Sequence, residues 1–175
     1  MKLFYLLSVI FSISGAMALM AESSLLKVGD PAPKISGQTQ DERIWRMEDS
    51  LGKKYILLYF YPKDDTPGCT KQACTWRDRM SDLKNKEVEV IGVSFDSAQS
   101  HRDFIKKYDL NFSLLADTDG KIADAFGARR EGGRNISRRV SFLIDKQGNI
   151  AHITDNPSAD VHLNEIKNAI EKLAN

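Results

Sequence analysis

Seven consecutive residues, Tyr55 to Tyr61, are all aromatic or aliphatic, and no other stretch constrains the fold so tightly. A strand with one wet face alternates apolar and polar residues; an unbroken run ended by Pro62 reads as a strand buried on both faces of a mixed α/β sheet. A short turn, Lys63-Asp64-Asp65, then leads to Thr66-Pro67, a helix start signal. Threonine at the N-cap offers an oxygen to a free amide, and proline at the first helical position gives up a hydrogen bond that the helix never had. On that count Cys69 is the third helical residue. Its sulfur is expected among unsatisfied N–H groups, at the positive end of the helix and within reach of the Thr66 hydroxyl. Such surroundings favour a nucleophilic thiolate, lowering a cysteine pKa from about 8.5 to roughly 3.5–7.5.

The phase of that helix carries a second inference. Cys69, Ala73, Trp76, Met80 and Leu83 recur at offsets of four, three, four and three, so they form one inward stripe. The second cysteine, Cys74, lies five residues on, rotated by ~140° around the axis. On an intact helix the two Cα atoms are about 8.7 Å apart, beyond the ~7 Å that a disulfide can span. Joining them requires the first turns to unwind.

At 175 residues and 42% hydrophobic content the chain has material for one domain, placed at 24–175. Lys and Arg total 25 against 24 Asp and Glu, so no global field recruits nucleic acid or an anionic membrane. Residues 1–21 differ from the rest. Lys2 is their only charge, Leu3 to Ile13 is nearly all apolar, and Ala16-Met17-Ala18 fits a small-x-small cleavage site. This is the pattern of a secretory signal peptide cut near 18–21, and the apolar run falls short of the ~20 residues needed to span a bilayer. The mature protein is therefore expected to be exported, periplasmic or secreted, with no stable membrane association. In an oxidising compartment two cysteines also admit a structural disulfide, against which the helix geometry counts. One C-x4-C pair with three scattered histidines, His101, His152 and His162, lacks the ligand spacing of a zinc site.

Elsewhere the chain reads as scaffold. A short strand near Lys34 to Gly37 is expected to pair with Arg43 to Trp45, followed by one helical turn over Met47 to Leu51. Glu87 to Phe95 marks another buried strand, and Ser97 is an N-cap for a helix carrying Phe104, Ile105 and Tyr108. Phe112 to Leu115 is a short strand. Asp117-Thr118-Asp119-Gly120 is a turn and cap; it lacks the further acidic ligands of a calcium loop. Ile122, Ala125 and Phe126 are expected to face the core. Val140 to Ile144 and Ile150 to Ile153 flank a hairpin signal containing Gly148. Asp160 is read as the cap of a last helix whose Leu163, Ile166, Ile170 and Leu173 form one apolar face. The least regular stretch holds Arg129, Arg130, Arg134, Arg138 and Arg139; the first three read as a solvated basic loop, while Arg139 opens a strand. Strands separated by helices, then a hairpin and a closing helix, describe an α/β thioredoxin-like sandwich with a central mixed β-sheet flanked by helices.

Pro62-x-x-x-Thr66-x-x-Cys69 resembles the active-site pattern of the peroxiredoxins, and Cys69-x-x-x-x-Cys74 within YFYPKDDTPGCTKQACTWRD resembles their Q, or bacterioferritin-comigratory, subfamily. The similarity extends over most of Leu25 to Leu173, with SRRVSFLIDKQG resembling the family's second signature. The resemblance implies a thiol peroxidase of antioxidant defence that reduces hydrogen peroxide and organic hydroperoxides. It implies that Cys69 is the peroxidatic cysteine, Cys74 the resolving one, and Thr66 the hydroxyl that orients the thiolate. Arg139 would be the guanidinium beside the sulfur, with Arg138 as the neighbouring alternative, and Pro62 would shield the pocket. It further implies an intramolecular disulfide reduced by a thioredoxin-like protein, without cofactor or metal. A general thiol–disulfide exchanger of the same fold and a binding module with a structural bridge are the competing readings. The first of these would want cysteines three apart.

Overall fold

The computed structural model describes residues 25–132 and 135–173; the proposed signal segment, Gly133 and Arg134 lie outside them. The apolar run forms β3 (Tyr55–Phe60), at the centre of a five-stranded sheet. Around it the chain supplies β1 (Ser36–Gln38), β2 (Ile44–Arg46), a 3₁₀ turn (Met47–Asp49), α1 (Pro67–Asp78), α2 (Met80–Asn85), β4 (Val88–Ser94) and α3 (Ala98–Tyr108). It continues through β5 (Ser113–Ala116), α4 (Lys121–Ala125), β6 (Val140–Ile144), β7 (Ile150–Asp155) and α5 (Ala159–Leu173). The sheet order is β5-β4-β3-β6-β7, with β3, β4 and β5 mutually parallel and β6 and β7 antiparallel to their neighbours. β1 and β2 form a separate hairpin.

The register explains why β3 tolerates no polar residue. Leu57, Tyr59 and Tyr61 point into a core shared with Trp76 of α1, Phe104 of α3 and Ile166 and Ile170 of α5. Ile56, Leu58 and Phe60 point the other way, into a core with Met47, Ile122 and Phe126. Successive side chains of a strand alternate faces, so a strand between two cores is apolar throughout. Phe60, Phe126 and Phe142 pack edge-to-face and tilted at 5.0–5.8 Å between ring centroids. No helix among the described residues is long and apolar enough to cross a membrane.

Ser97 accepts the amide of Ser100 and caps α3, as its position suggests. Gly148 takes φ 88° in the β6–β7 turn. The Asp117 carboxylate accepts the amides of Ile122 and Ala123 at the start of α4, while burial pushes its pKa up. Several expectations need correction. The first two strands and β5 begin one or two residues later than their sequence ranges. Ala125 is exposed and Ala123 fills its place in the core, because a helix this short presents only adjacent positions to the sheet. Asp160 is the second residue of α5 rather than its cap, and its carboxylate pairs with Lys71 of α1 at 2.6 Å. Leu173 is 39% exposed at the end of the helix, and Ala169 completes the buried face instead. The inward stripe of Cys69, Ala73, Trp76, Met80 and Leu83 is buried throughout, yet its helix is broken in two at Arg79 (φ −100°, ψ 4°).

Candidate active site

Pro67 is the first residue of α1 and Thr66 its extended N-cap (φ −93°, ψ 149°), so Cys69 is the third helical residue, as counted from the sequence. Cys69 is buried and Cys74, on the same unbroken helix, is half-buried; both are free thiols. The Thr66 hydroxyl does not act as the expected cap. It donates instead to the Lys63 carbonyl at 3.1 Å, closing the turn before the helix, and no capping bond from its side chain forms. A threonine hydroxyl beside a tight turn has a nearby carbonyl to satisfy it, and that local bond competes with capping.

The tertiary fold brings Arg139 to Cys69 from seventy residues away. Arg139 stands just before β6, which pairs with β3, and this places the guanidinium over the first turn of α1. Its Nη2 donates to Cys69 Sγ at 3.3 Å and its Nη1 to Gln72 Oε1 at 2.5 Å. Arg138 turns the opposite way and forms an ion pair with Asp155 of β7. Adjacent residues of an extended segment project to opposite sides, so only one of the two faces the sulfur. Pro62 lines a cleft of about 540 Å³ together with Arg130, Arg138, Arg139 and Pro157. Arg129 has a structural place: it pairs with Asp124, holding that carboxyl below its usual range, and its guanidinium stacks on Phe95 at 4.7 Å.

Two residues at the site escaped the sequence reading. Gln72 is wholly buried and fixes the second arm of the Arg139 fork. Its signal was available, since it follows Cys69 by three positions and a polar residue on an inward stripe needs a partner. Gly68 permits the approach: a β-carbon there would lie 3.1 Å from Arg139 Nη2. Among the described residues, α1 also holds three buried polar atoms without a hydrogen-bond partner, namely Thr70 Oγ1, Gln72 Nε2 and Trp76 Nε1. Behind the helix, Tyr59 is buried with an unpartnered hydroxyl, and burial pushes its pKa well up, so it stands there as a neutral phenol.

None of the three histidines contacts Cys69 through a hydrogen bond; their bonds run elsewhere. His162 ties α5 to β6: its Nε2 donates to the Asn156 carbonyl at 2.7 Å, which leaves Nδ1 to accept from Ser141 Oγ at 2.7 Å. Burial lowers the His162 pKa, with Arg139 acting in the same direction and the Asn156 bond against it. The neutral ring is thus the folded form. Stability from this group is complete above the ordinary histidine pKa of about 6.5 and is lost as pH falls below it. Thermal midpoints should fall more steeply below that pH in the native sequence than in His162→Gln; equal slopes would show that His162 does not couple protonation to folding.

Comparisons with known proteins bear on the family and the fold. Residues 28–153 match the AhpC/TSA family. The chain is 40% identical over 154 residues to peroxiredoxin Bcp of Escherichia coli K12, covering 85% of this chain and 98% of that protein. It is 36% identical over 146 residues to the chloroplastic peroxiredoxin Q of Oryza sativa subsp. japonica, covering 83% and 67% respectively. Among solved structures, peroxidoxin BcpB of Mycobacterium tuberculosis superposes with a TM-score of 0.79 at 26% identity, over 84% of this chain and 97% of that one. PrxQ of Xylella fastidiosa superposes with a TM-score of 0.73 at 26% identity, over 83% and 98%. A buried cysteine in the first turn of a helix, met by an arginine that stands just before a strand of the central sheet, thus sits in a chain that belongs to the AhpC/TSA family, among the peroxiredoxins of the Bcp and Q kind.

Proposed function

We propose that Cys69 is the peroxidatic cysteine of a two-cysteine thiol peroxidase and Cys74 its resolving partner. The observation that carries this reading is the 3.3 Å contact between Arg139 Nη2 and the sulfur of a cysteine in the first helical turn. A guanidinium makes a charge-assisted hydrogen bond to an ionised sulfur, the form of a cysteine that attacks. The Cys69 thiolate attacks the terminal oxygen of a hydroperoxide. A sulfur–oxygen bond forms, the O–O bond breaks, and the departing oxygen takes a proton to leave as water or an alcohol. Negative charge moves from sulfur to that oxygen, so donors aimed at both stabilise the transition state more than the ground state. Arg139 and the amide of Cys69 supply them. The Thr66 hydroxyl, held on Lys63 in this form, would join them by rotating, and Pro62 brings no donor to the wall of the cleft.

Cys69 is then a sulfenic acid. The Cys74 thiol condenses with it, forming the disulfide and releasing water. The intact helix keeps the two cysteines apart, so α1 must unwind first. The three unpartnered polar atoms of α1 favour this, because each costs about 1–3 kcal/mol while buried and recovers it on reaching water. Unwinding also exposes the disulfide to a dithiol reductant of thioredoxin type, which takes over the disulfide and returns two thiols. Export to an oxidising compartment, proposed from residues 1–21, would require that reductant to work there too.

Mass spectrometry of the reduced protein after one equivalent of hydrogen peroxide tests the reading. Rapid loss of two hydrogens, mapped to a Cys69–Cys74 link, is expected. Slow conversion, with fast exchange against a disulfide substrate, would instead indicate a general exchanger. On protein recovered from its own cells, the same spectra read the N-terminus, expected near residues 18–21 after cleavage.

A further inference from the structure

The loop that delivers Cys69 is gripped from its far side by a buried polar cluster that the chemistry above leaves unused. Asp64 is 6% exposed and His101, on α3, is wholly buried. His101 Nδ1 lies 2.8 Å from Asp64 Oδ2, and its Nε2 lies 3.1 Å from the Leu115 carbonyl oxygen. Ser100 Oγ donates to the same Oδ2 at 2.7 Å, and the Tyr61 hydroxyl donates to Oδ1 at 2.7 Å. The Asp64 amide donates in turn to Asp96 Oδ2 at 2.9 Å, an oxygen that also accepts Ser94 Oγ at 2.7 Å. A carbonyl oxygen only accepts, so Nε2 carries a hydrogen, and a second hydrogen lies between Nδ1 and the carboxylate. Asp65 is held to the same helix, with its carboxylate accepting Lys107 Nζ and the Tyr108 hydroxyl at 2.6 Å each. These bonds, from Lys107 first, hold the Asp65 carboxyl below its usual range.

The two sides of Thr66 are therefore built differently. Before it, Asp64 and Asp65 are each anchored to α3 by at least two side-chain bonds; after it, α1 carries three buried polar atoms without partners. We propose that the Asp64–His101 pair is a positioning clamp. It confines the unwinding of α1 to the residues after Thr66, so that Pro62 and the turn before the helix stay in place while the disulfide forms. This inference rests on the two-cysteine cycle proposed above. Losing the clamp should have opposite effects on the two steps. The peroxide step slows because the helix start is no longer held against Arg139, and disulfide formation quickens because unwinding is no longer confined.

Stopped-flow fluorescence of the reduced full-length protein with hydrogen peroxide separates the steps, since Trp76 lies on the helix that unwinds. The phase whose rate follows peroxide concentration reports oxidation, and the concentration-independent phase reports resolution. In His101→Phe, oxidation should slow about tenfold or more, since misplacing a reacting group by about an ångström can cost about 10²-fold, and resolution should quicken about tenfold, the equivalent of one restraining hydrogen bond to a charged group. Adding Asp64→Asn to that variant should bring both rates back toward those of the native sequence, because the amide leaves no buried charge unpaired: its oxygen accepts from one of the Tyr61 and Ser100 hydroxyls and its NH2 donates to the oxygen of the other. Ser100→Ala removes one donor and should shift both rates in the same opposed directions by about threefold. It decides the matter if His101→Phe does not fold. Rates that stay unchanged, or that fall together, would overturn the clamp. If the native sequence shows no resolution phase, the two-cysteine cycle fails and the clamp with it; if that phase is present and the ratio does not move, the clamp alone fails.

Discussion

Cys69→Ser should reduce peroxide turnover to background, whereas Cys74→Ser should consume its first equivalent at the native rate but should not turn over. The asymmetry follows from the positions of the two sulfurs. Only Cys69 occupies the first turn of α1, buried and met by the Arg139 guanidinium at 3.3 Å. Cys74 is half-buried and five residues further along the same helix. A serine hydroxyl at position 69 cannot replace the thiolate, which is the stronger nucleophile at neutral pH. In Cys74→Ser the sulfenic acid has no thiol with which to condense and should pass on to the sulfinic acid as peroxide is added. Mass spectrometry of position 69 after one and after ten equivalents distinguishes the two states. If both variants lose the first turnover equally, the two cysteines do not divide the work as proposed.

Arg139→Ala should slow the oxidation step by about 10²–10³, the cost of removing one donor aimed at developing charge. Arg139→Lys should recover little, because a compact ammonium cannot reach Cys69 Sγ and Gln72 Oε1 together as the planar fork does. Arg138→Ala is the control. Its partner is Asp155, so it should leave oxidation near the native rate while loosening the edge between β6 and β7. Stopped-flow measurement of the first phase checks all three. A large slowing by Arg138→Ala without one by Arg139→Ala would place the functional guanidinium on Arg138 and overturn the assignment to Arg139.

Much of this arrangement was legible because each signal had a local cause. The unbroken run Tyr55 to Tyr61 is apolar because the strand lies between two cores, and Thr66-Pro67 marked the helix start to the residue. The stripe of Cys69, Ala73, Trp76, Met80 and Leu83 is buried as its spacing required. What failed were details that depend on competition between neighbours. The Thr66 hydroxyl donates to the Lys63 carbonyl and accepts none of the amides it was expected to cap. Asp160 found a lysine on another helix, and Ala123 rather than Ala125 meets the sheet because α4 is only five residues long.

By itself, then, the amino-acid sequence determined the class of fold, the position of Cys69 in its helix, and the distance that keeps Cys74 from it. Those properties depend on periodicity and on residues a few positions apart. Only the tertiary structure set the Arg139 guanidinium rather than that of Arg138 against the Cys69 sulfur, put Gln72 behind it, and joined Asp64 to His101 across thirty-seven residues. Such contacts form between elements that the sheet brings together. Which side chain of an extended segment turns inward is settled by the register of that sheet, and no local pattern encodes it.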